Sequence, residues 1–440
     1  MLALGSTHSG NAHPEDVAHS PGLRERMRSL PAAYGLARAV WRPVAMAREW
    51  AETRAWDPDL AVTEDAARPV VLVDGCVFAQ PPGGVTRLWR EVLTQWGRTP
   101  VAAHLVVLDR GRTTPRMPGI RYVDAPPLRV FDTRAQQAFL DRVCAACGAD
   151  LFLSTWYTSP RHTPAALLVH DMTPENLGFD HMDRLWHDKH RAISHVTAFA
   201  CISNATAEDL SRYAPRVRDA RVAVVHPGVD PSFAPAPPEQ IGAFRAAHGL
   251  PAEYYLFVGV RAGYKNARLL AEAWEHLPPA AQQRGILFAG GSRHLEPDLA
   301  GSLGRAHVVV ATLSDEELRA AYSGATALVY PSRAEGFGLP VVEAMACGCP
   351  VIAGTAPALR EAAGGGALHV DADDPAALAH AMERIADPAV RAPLVQRGLA
   401  RAAELSWERT ARLLGEFVLE TAEETAQAAS SGSTHSERFR

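Results

Sequence analysis

From Pro69 onward the chain alternates short β-rich apolar runs with stretches of helical period. VVLVDG, HLVVLD, LFLST, ALLVHD, AFACIS and RVAVVH predict strands, with VTRLWREVLTQW, RAQQAFLDRVCAAC and TAEDLSRYA as helices between them. After Asp230 the run PSFAPAPPEQ removes backbone donors at every proline and opposes helix and sheet interior alike, which marks a linker. A second series follows, with strands YYLFVGV, GILFAGG, HVVVAT, ALVYPS, PVIAG and ALHV, and helices ARLLAEAW, DEELRAAYSGA, LPVVEAMACG and DPAALAHAMERI. Two consecutive doubly wound α/β units with parallel sheets are expected. Ligands bind such sheets beyond the carboxyl ends of their strands, so two facing units make a cleft. Helix punctuation agrees locally: Ser314 with Glu317 forms a capping box, and Asp374 before Pro375 reads as an N-cap with a first-turn proline.

The two ends do not follow this rhythm. Residues 1–67 hold no strand series, and from Leu23 to Trp56 they carry seven arginines against three acids, with Trp41, Trp50 and Trp56 interleaved. Such a basic stretch can lie on an anionic membrane surface, or pack as an arm on its own domain or a partner. The last residues, AQAASSGSTHSERFR, are small and polar and predict disorder.

Composition adds bounds. A chain of 440 residues that is 47% hydrophobic and 21% charged can bury large cores in two or three domains. A formal net charge of -5 gives no whole-chain sign of nucleic-acid binding. No apolar run reaches the roughly 18 residues of a membrane span, and the first twenty residues lack a basic start followed by an apolar core. A cytoplasmic protein is expected, with peripheral contact at the inner face of the membrane open through the extension. The six cysteines are too sparse for a disulfide framework, and Cys144 and Cys147 have no partner set for a zinc site. They read as reduced core thiols.

The chemistry concentrates in ALVYPSRAEGFGLPVVEAMACGCPVIAG, residues 327–354. A strand ends at Tyr330 or Pro331, a glycine-containing loop turns, Pro340 starts a helix, Gly348 ends it, and the next strand begins. Unpaired N–H groups at that helix start, with Gly336 and Gly338 before it, suit phosphate or sugar oxygens. Glu335 lies in the loop and Glu343 about a turn into the helix, so both can face one cleft end. A plain strand-to-helix turn also explains the glycines.

The complete run E-G-F-G-L-P-x-x-E-A-M-A-C-G-C-P-V-I resembles the E-x7-E pattern of the retaining family 4 glycosyltransferases, also described as glycosyl transferases group 1, in their bacterial mannosyltransferase-like branch. The resemblance spans roughly residues 70–425 and implies the GT-B fold, two facing Rossmann-like domains. It implies that Glu343 hydrogen-bonds the donor ribose, while Glu335 and the N–H groups of Gly336, Phe337, Gly338 and Leu339 hold the transferred sugar and neighbouring phosphate oxygens. GVRAGYKN resembles the family's arginine-lysine element, which implies Arg261 and Lys265 at the diphosphate, although the spacing is one residue short. Gly83 and Gly84 resemble its glycine loop near diphosphate and acceptor. His170 with Asp171 resembles its His-Asp element beside the sugar. Ser203, Asn204 and Asp230 match interdomain segments, where capping and turn formation explain them equally well.

On this resemblance the chain divides into a basic extension at 1–67, an acceptor domain at 68–232, a donor domain at 233–405, a helix at 406–425 crossing back to the first domain, and a tail at 426–440. The implied reaction is transfer of a hexose-like sugar from a nucleoside-diphosphate sugar to a hydroxyl of a glycan, lipid-linked or small-molecule acceptor, with retention, as in polysaccharide or glycoconjugate biosynthesis. No nucleic acid, cofactor or metal is expected: Asp371, Asp373 and Asp374 fall where capping explains them. Open alternatives are a sugar-nucleotide epimerase, a phosphorylase, and a non-catalytic nucleotide-sugar-binding subunit. The loops AQPPGG and STWYTSPRHT, with Trp156 and Tyr157, carry no transferable acceptor code.

Overall fold

The computed structural model describes residues 45, 47–48, 51–56, 68–128, 134–179 and 184–430. Among them, the first domain holds β1 (Val71–Asp74), β2 (Leu105–Arg110), β3 (Arg121–Ala125), β4 (Leu151–Ser154), β5 (Ala165–Val169), β6 (Ala198–Cys201) and β7 (Arg221–Val224). They pair in parallel in the order β3-β2-β1-β4-β5-β6-β7. Around them lie α1 (Gly84–Trp96), α2 (Arg134–Cys147), α3 (Arg184–His195) and α4 (Asn204–Tyr213). Continuous apolar strands are what a parallel sheet covered on both faces requires. Thus Val71 and Val73 enter a core with Leu88, Trp89 and Trp96 of α1, while Val70 and Leu72 enter another with Phe139, Leu140 and Val143 of α2.

The second domain holds α5 (Pro238–His248), β8 (Tyr254–Val258), α6 (Ala267–His276), β9 (Gly285–Ala289), β10 (His307–Ala311), α7 (Asp315–Gly324), β11 (Ala327–Tyr330), α8 (Leu339–Ala346), β12 (Val351–Gly354), α9 (Pro357–Ala363), β13 (Ala367–Val370), α10 (Pro375–Arg384) and α11 (Pro388–Ala403). Its parallel order β10-β9-β8-β11-β12-β13 is that of a dinucleotide-binding sheet, with the switch point between β8 and β11. The predicted caps are present: Ser314 and Glu317 form a reciprocal capping box, and Asp374 accepts from the Ala377 N–H.

Several expectations need correction. The strand β3, on the sheet edge, was not predicted, because Arg121 and Asp124 interrupt its apolar run. The proline run contains the start of α5, with Pro237 as N-cap and Pro238 in the first turn, where a missing N–H costs nothing. Pro393 concealed α11 by sitting inside it. The run is anchored rather than loose: Phe233 packs edge-on against Tyr322, and Arg319 donates to the carbonyls of Ala234 and Pro235.

The last helix, α12 (Trp407–Ser430), packs on α1 and on the first sheet, and the Trp96 indole donates to the Ala411 carbonyl at 2.8 Å. It includes residues 426–430 of the stretch expected to be a disordered tail; 431–440 lie outside the described residues. Most of the basic extension, with Trp41 and Trp50, also lies outside them. The described part packs on its own domain: Trp56 meets the Phe139 ring at 5.1 Å and the Thr53 carbonyl accepts from Arg142. No described helix is long and apolar enough to cross a membrane.

The chain passes between the domains twice, and the two passages run side by side. Val229 pairs with Ser406 as an isolated parallel bridge, its N–H donates to the Leu405 carbonyl at 3.1 Å, and Thr410 donates to the His226 carbonyl at 2.8 Å. Gly228 permits this, since a Cβ there would lie 2.3 Å from the Trp407 nitrogen. Gly228→Ala is expected to destabilise the chain by on the order of 2 kcal/mol or more through backbone displacement, read as a lowered thermal midpoint; an unchanged midpoint would show that the crossing yields freely.

Candidate functional site in the interdomain cleft

The carboxyl ends of β8 and β11 carry the loops in which the predicted donor residues lie. Lys265 ends a short 3-10 turn, and Asn266 follows in the left-handed region at φ 62, its side chain donating to the carbonyls of Pro331 and Ala372. That anchor fixes the lysine. Its ammonium donates to the Tyr330 hydroxyl at 2.6 Å and to Glu335 at 2.7 Å, and Ser332 donates to the same Glu335 oxygen at 2.6 Å. Burial, then the Glu335 charge, pushes the Tyr330 phenol well up, so it stays protonated.

Glu343 projects from α8 into the boundary between the domains. It is 6% exposed, and burial pushes its carboxyl up against the opposing pull of Arg87. Arg87, on α1 of the first domain, donates to Glu343 at 2.8 Å and also to Asp315. Tyr322 donates to the other Glu343 oxygen at 3.2 Å. The carboxylate therefore has its cation across the cleft rather than within its own domain.

The loop before α8 is set by backbone geometry. Gly338 takes φ 111, which an L side chain rarely adopts, and a Cβ there would meet Leu359 at 2.6 Å. Gly336 faces the first domain: a Cβ would fall 1.8 Å from the His170 carbonyl oxygen. Its own carbonyl accepts from Ser203 at 2.6 Å and Thr206 at 3.1 Å. Phe337 is buried and stacks on His226. Gly84 brings the first-domain glycine loop to the same place, with room for a Cβ 3.8 Å from Leu339, whereas Gly83 faces open space.

His170 follows β5 and is buried beside Trp156. Burial pulls its imidazole down to about 4, with Lys189 adding to the effect, so the ring is neutral near pH 7. Its Nε2 has no hydrogen-bond partner among the described residues. The loop it sits on is held from beneath, where the fully buried Lys189 donates to the Asp171 carbonyl at 2.8 Å and to Glu175 at 2.7 Å.

Two family descriptions match the chain: Glycosyltransferase Family 4 over residues 82–233 and Glycosyl transferases group 1 over residues 252–387. The chain belongs to the family 4 glycosyltransferases. The O-antigen chain mannosyltransferase B of Escherichia coli is 36% identical over 162 residues, covering 35% of this chain and 42% of that protein. A D-inositol 3-phosphate glycosyltransferase of Nocardiopsis dassonvillei is 39% identical over 217 residues, covering 44% and 49%. The chain spans about half the length of the curated relatives it matches. Among solved structures, sucrose-phosphate synthase from Thermosynechococcus elongatus superposes with a TM-score of 0.62 at 21% identity over 82% of this chain and 99% of that one. WaaG, a glycosyltransferase involved in lipopolysaccharide biosynthesis, gives 0.60 at 14% identity over 79% and 99%. Anabaena Alr3699/HepE, solved in complex with UDP and glucose, gives 0.58 at 16% over 82% and 99%. These likenesses show the GT-B fold.

In this family 4 glycosyltransferase the arginine and lysine of the arginine-lysine element are held differently. The Arg261 side chain is fully buried, with Nε on Glu296 at 2.7 Å and the terminal nitrogens on the carbonyls of Gly290, Ser292 and His294, apart from the Lys265–Glu335 pair. It staples the loop after β9. A hollow of about 450 Å³ opens at this staple, lined by Arg261 and Glu296 themselves with Gly263, Asn266, Arg268 and Arg333, and by neither Glu335 nor Glu343. Among the described residues no group of three or more His, Cys, Asp or Glu is placed to hold a metal ion. Sequence reasoning passed over Arg87, Tyr322, Tyr330, His226 and Glu361, because each gains its meaning from a contact distant along the chain. Arg87 lies three residues after Gly84, which was the one available hint.

A double-mutant cycle tests the cross-cleft bridge. Arg87→Ala with Glu343→Gln is expected to show a coupling of about 2 kcal/mol in denaturant unfolding, and Arg87→Ala with Asp315→Asn well under 1, because the Asp315 side chain is 60% exposed and Glu343 only 8%. Equal couplings would remove the distinction.

Proposed function

We propose that this chain transfers a hexose-like sugar from a nucleoside diphosphate to an acceptor hydroxyl with retention of anomeric configuration. The observation that carries the reading is the cluster at the β8–β11 switch point, where Lys265, Glu335 and the start of α8 meet the His170 loop of the facing domain. In such sheets the carboxyl ends of the strands at the switch point take the ligand. The names of the relatives support sugar transfer, and the UDP and glucose in the HepE complex support a nucleoside-diphosphate donor. Acceptors of the same range are proposed: a glycan, a lipid-linked sugar or a small molecule.

In this reading Lys265 and the N–H groups from Phe337 to Leu339, which lead into α8, receive the charge that develops on the departing diphosphate. The bond from the anomeric carbon to phosphate oxygen breaks, the acceptor oxygen bonds to that carbon on the same face, and the acceptor proton passes to the leaving phosphate. Glu335, held by Lys265 and Ser332, orients the sugar. A neutral His170 serves as a hydrogen-bond partner for a sugar hydroxyl, which its low proton affinity suits better than acid catalysis. Glu343 accepts from the ribose, and Arg87 shares or yields that carboxylate.

A thermal-shift screen of UDP, GDP, dTDP and ADP sugars, followed by product analysis with the best donor, tests the proposal. Turnover without acceptor would indicate an epimerase or hydrolase, and tight binding without turnover a binding subunit. Glu335→Gln should lower kcat tenfold or more with nucleotide affinity within about threefold, whereas Glu343→Ala should raise donor KM about tenfold. The reverse pattern would overturn the two assignments. Activity is expected to survive EDTA.

A further inference from the structure

We propose that Glu361 is a positioning residue for the donor loop, acting from the second domain through the first domain and back again. The proposal rests on the reading that the loop from Gly336 to Leu339 holds the donor.

That loop is gripped by two first-domain features. The Gly336 carbonyl accepts the hydroxyls of Ser203 and Thr206, which open α4, and the Phe337 ring lies on His226, with centroids 5.4 Å apart and planes at 29°. Neither feature is rigid by itself. The first turn of a helix leaves its N–H groups without partners inside the helix, and a lone imidazole on a ring can slide. Ser203 caps α4 locally by accepting from the Thr206 N–H at 2.9 Å, and the N–H groups of Asn204 and Ala205 remain to be satisfied.

Glu361 satisfies them from across the cleft. One oxygen accepts from the Asn204 N–H at 2.8 Å, from the Asn204 side-chain amide at 2.7 Å and from His226 Nε2 at 2.6 Å; the other accepts from the Ala205 N–H at 3.1 Å. A carboxylate at a helix N-terminus is favoured by the helix dipole, and its hydrogen bonds are charge-assisted. Burial works against the charge, yet His226 and the N–H groups outweigh it and hold the carboxyl at about 2. The helix α4 is thus capped twice, by Ser203 from its own domain and by Glu361 from the other.

The same four donors therefore fix both parts of the grip on the loop. A swing of the domains apart breaks the Glu361 bonds, the Gly336 carbonyl bonds and the Phe337 stack together, so the loop is set only when the cleft is closed. Among the described residues Glu361 hydrogen-bonds Asn204, Ala205 and His226 and neither Gly336 nor Phe337, so its influence on the loop passes through Ser203, Thr206 and His226.

Hydrogen exchange on the full chain tests this without reference to activity. In Glu361→Ala, and more mildly in Glu361→Gln, exchange is expected to rise about tenfold at residues 203–206 and equally at 336–339, with the sheet amides unchanged. A rise confined to 203–206 would reduce Glu361 to a helix cap and overturn the proposal. With the nucleotide sugar that the wild-type chain turns over, Glu361→Gln should lower kcat about tenfold while the affinity for the free nucleoside diphosphate changes less than threefold. His226→Ala should lose a similar factor, and the double variant no more than the larger single loss, because the two act through one contact. Additive losses, or full turnover in a folded Glu361→Gln, would contradict it. If the wild-type chain binds no nucleoside diphosphate, the donor-site reading fails instead, and the exchange result still decides whether the coupling exists.

Discussion

Gly336 and His170 approach so closely that no side chain fits between them, and the remainder of the cleft is arranged around that contact. A backbone-to-backbone approach of this kind has no slack: a shift of either domain by an ångström changes which groups can reach across. Ser203 and Thr206 fix the Gly336 carbonyl on one side, and the Lys189–Glu175 pair fixes the His170 loop on the other. An apolar cluster runs without interruption from α1 through α12 to α7 and α8, so the contact is backed by a shared core rather than by a rim of surface charges.

Electrostatics follows from that closeness. Glu343 and Glu361 belong to the second domain, and each finds its cationic or N–H partners in the first. The two respond in opposite directions. Burial raises the Glu343 carboxyl against Arg87 and the Tyr322 hydroxyl, whereas four donors lower Glu361 despite burial. The side-by-side passages at Gly228 and Ser406 limit the motion available to both.

Much of the architecture was legible along the chain. Short apolar runs declared β1, β2 and β4–β13, as the caps at Ser314 and Asp374 declared their helices. The strand β3 was not so declared, because Arg121 and Asp124 break the apolar run of RYVDA. The helices α5 and α11 were concealed by prolines whose harmless positions depend on where the helix begins.

The run from Glu335 to Glu343 determined by itself a glycine turn, a helix start and two carboxylates about the switch point, since backbone chirality and helix capping are local. It could not determine the partners of those carboxylates. Arg261 and Lys265 are both cations four residues apart, yet one is enclosed by the carbonyls of the 290–294 loop and the other reaches Glu335. Arg87 and Glu343 are 256 residues apart in the chain, and Asn204 and Glu361 are 157 apart. Pairing over such separations is fixed by how two domains close on one another, which only the tertiary structure decides.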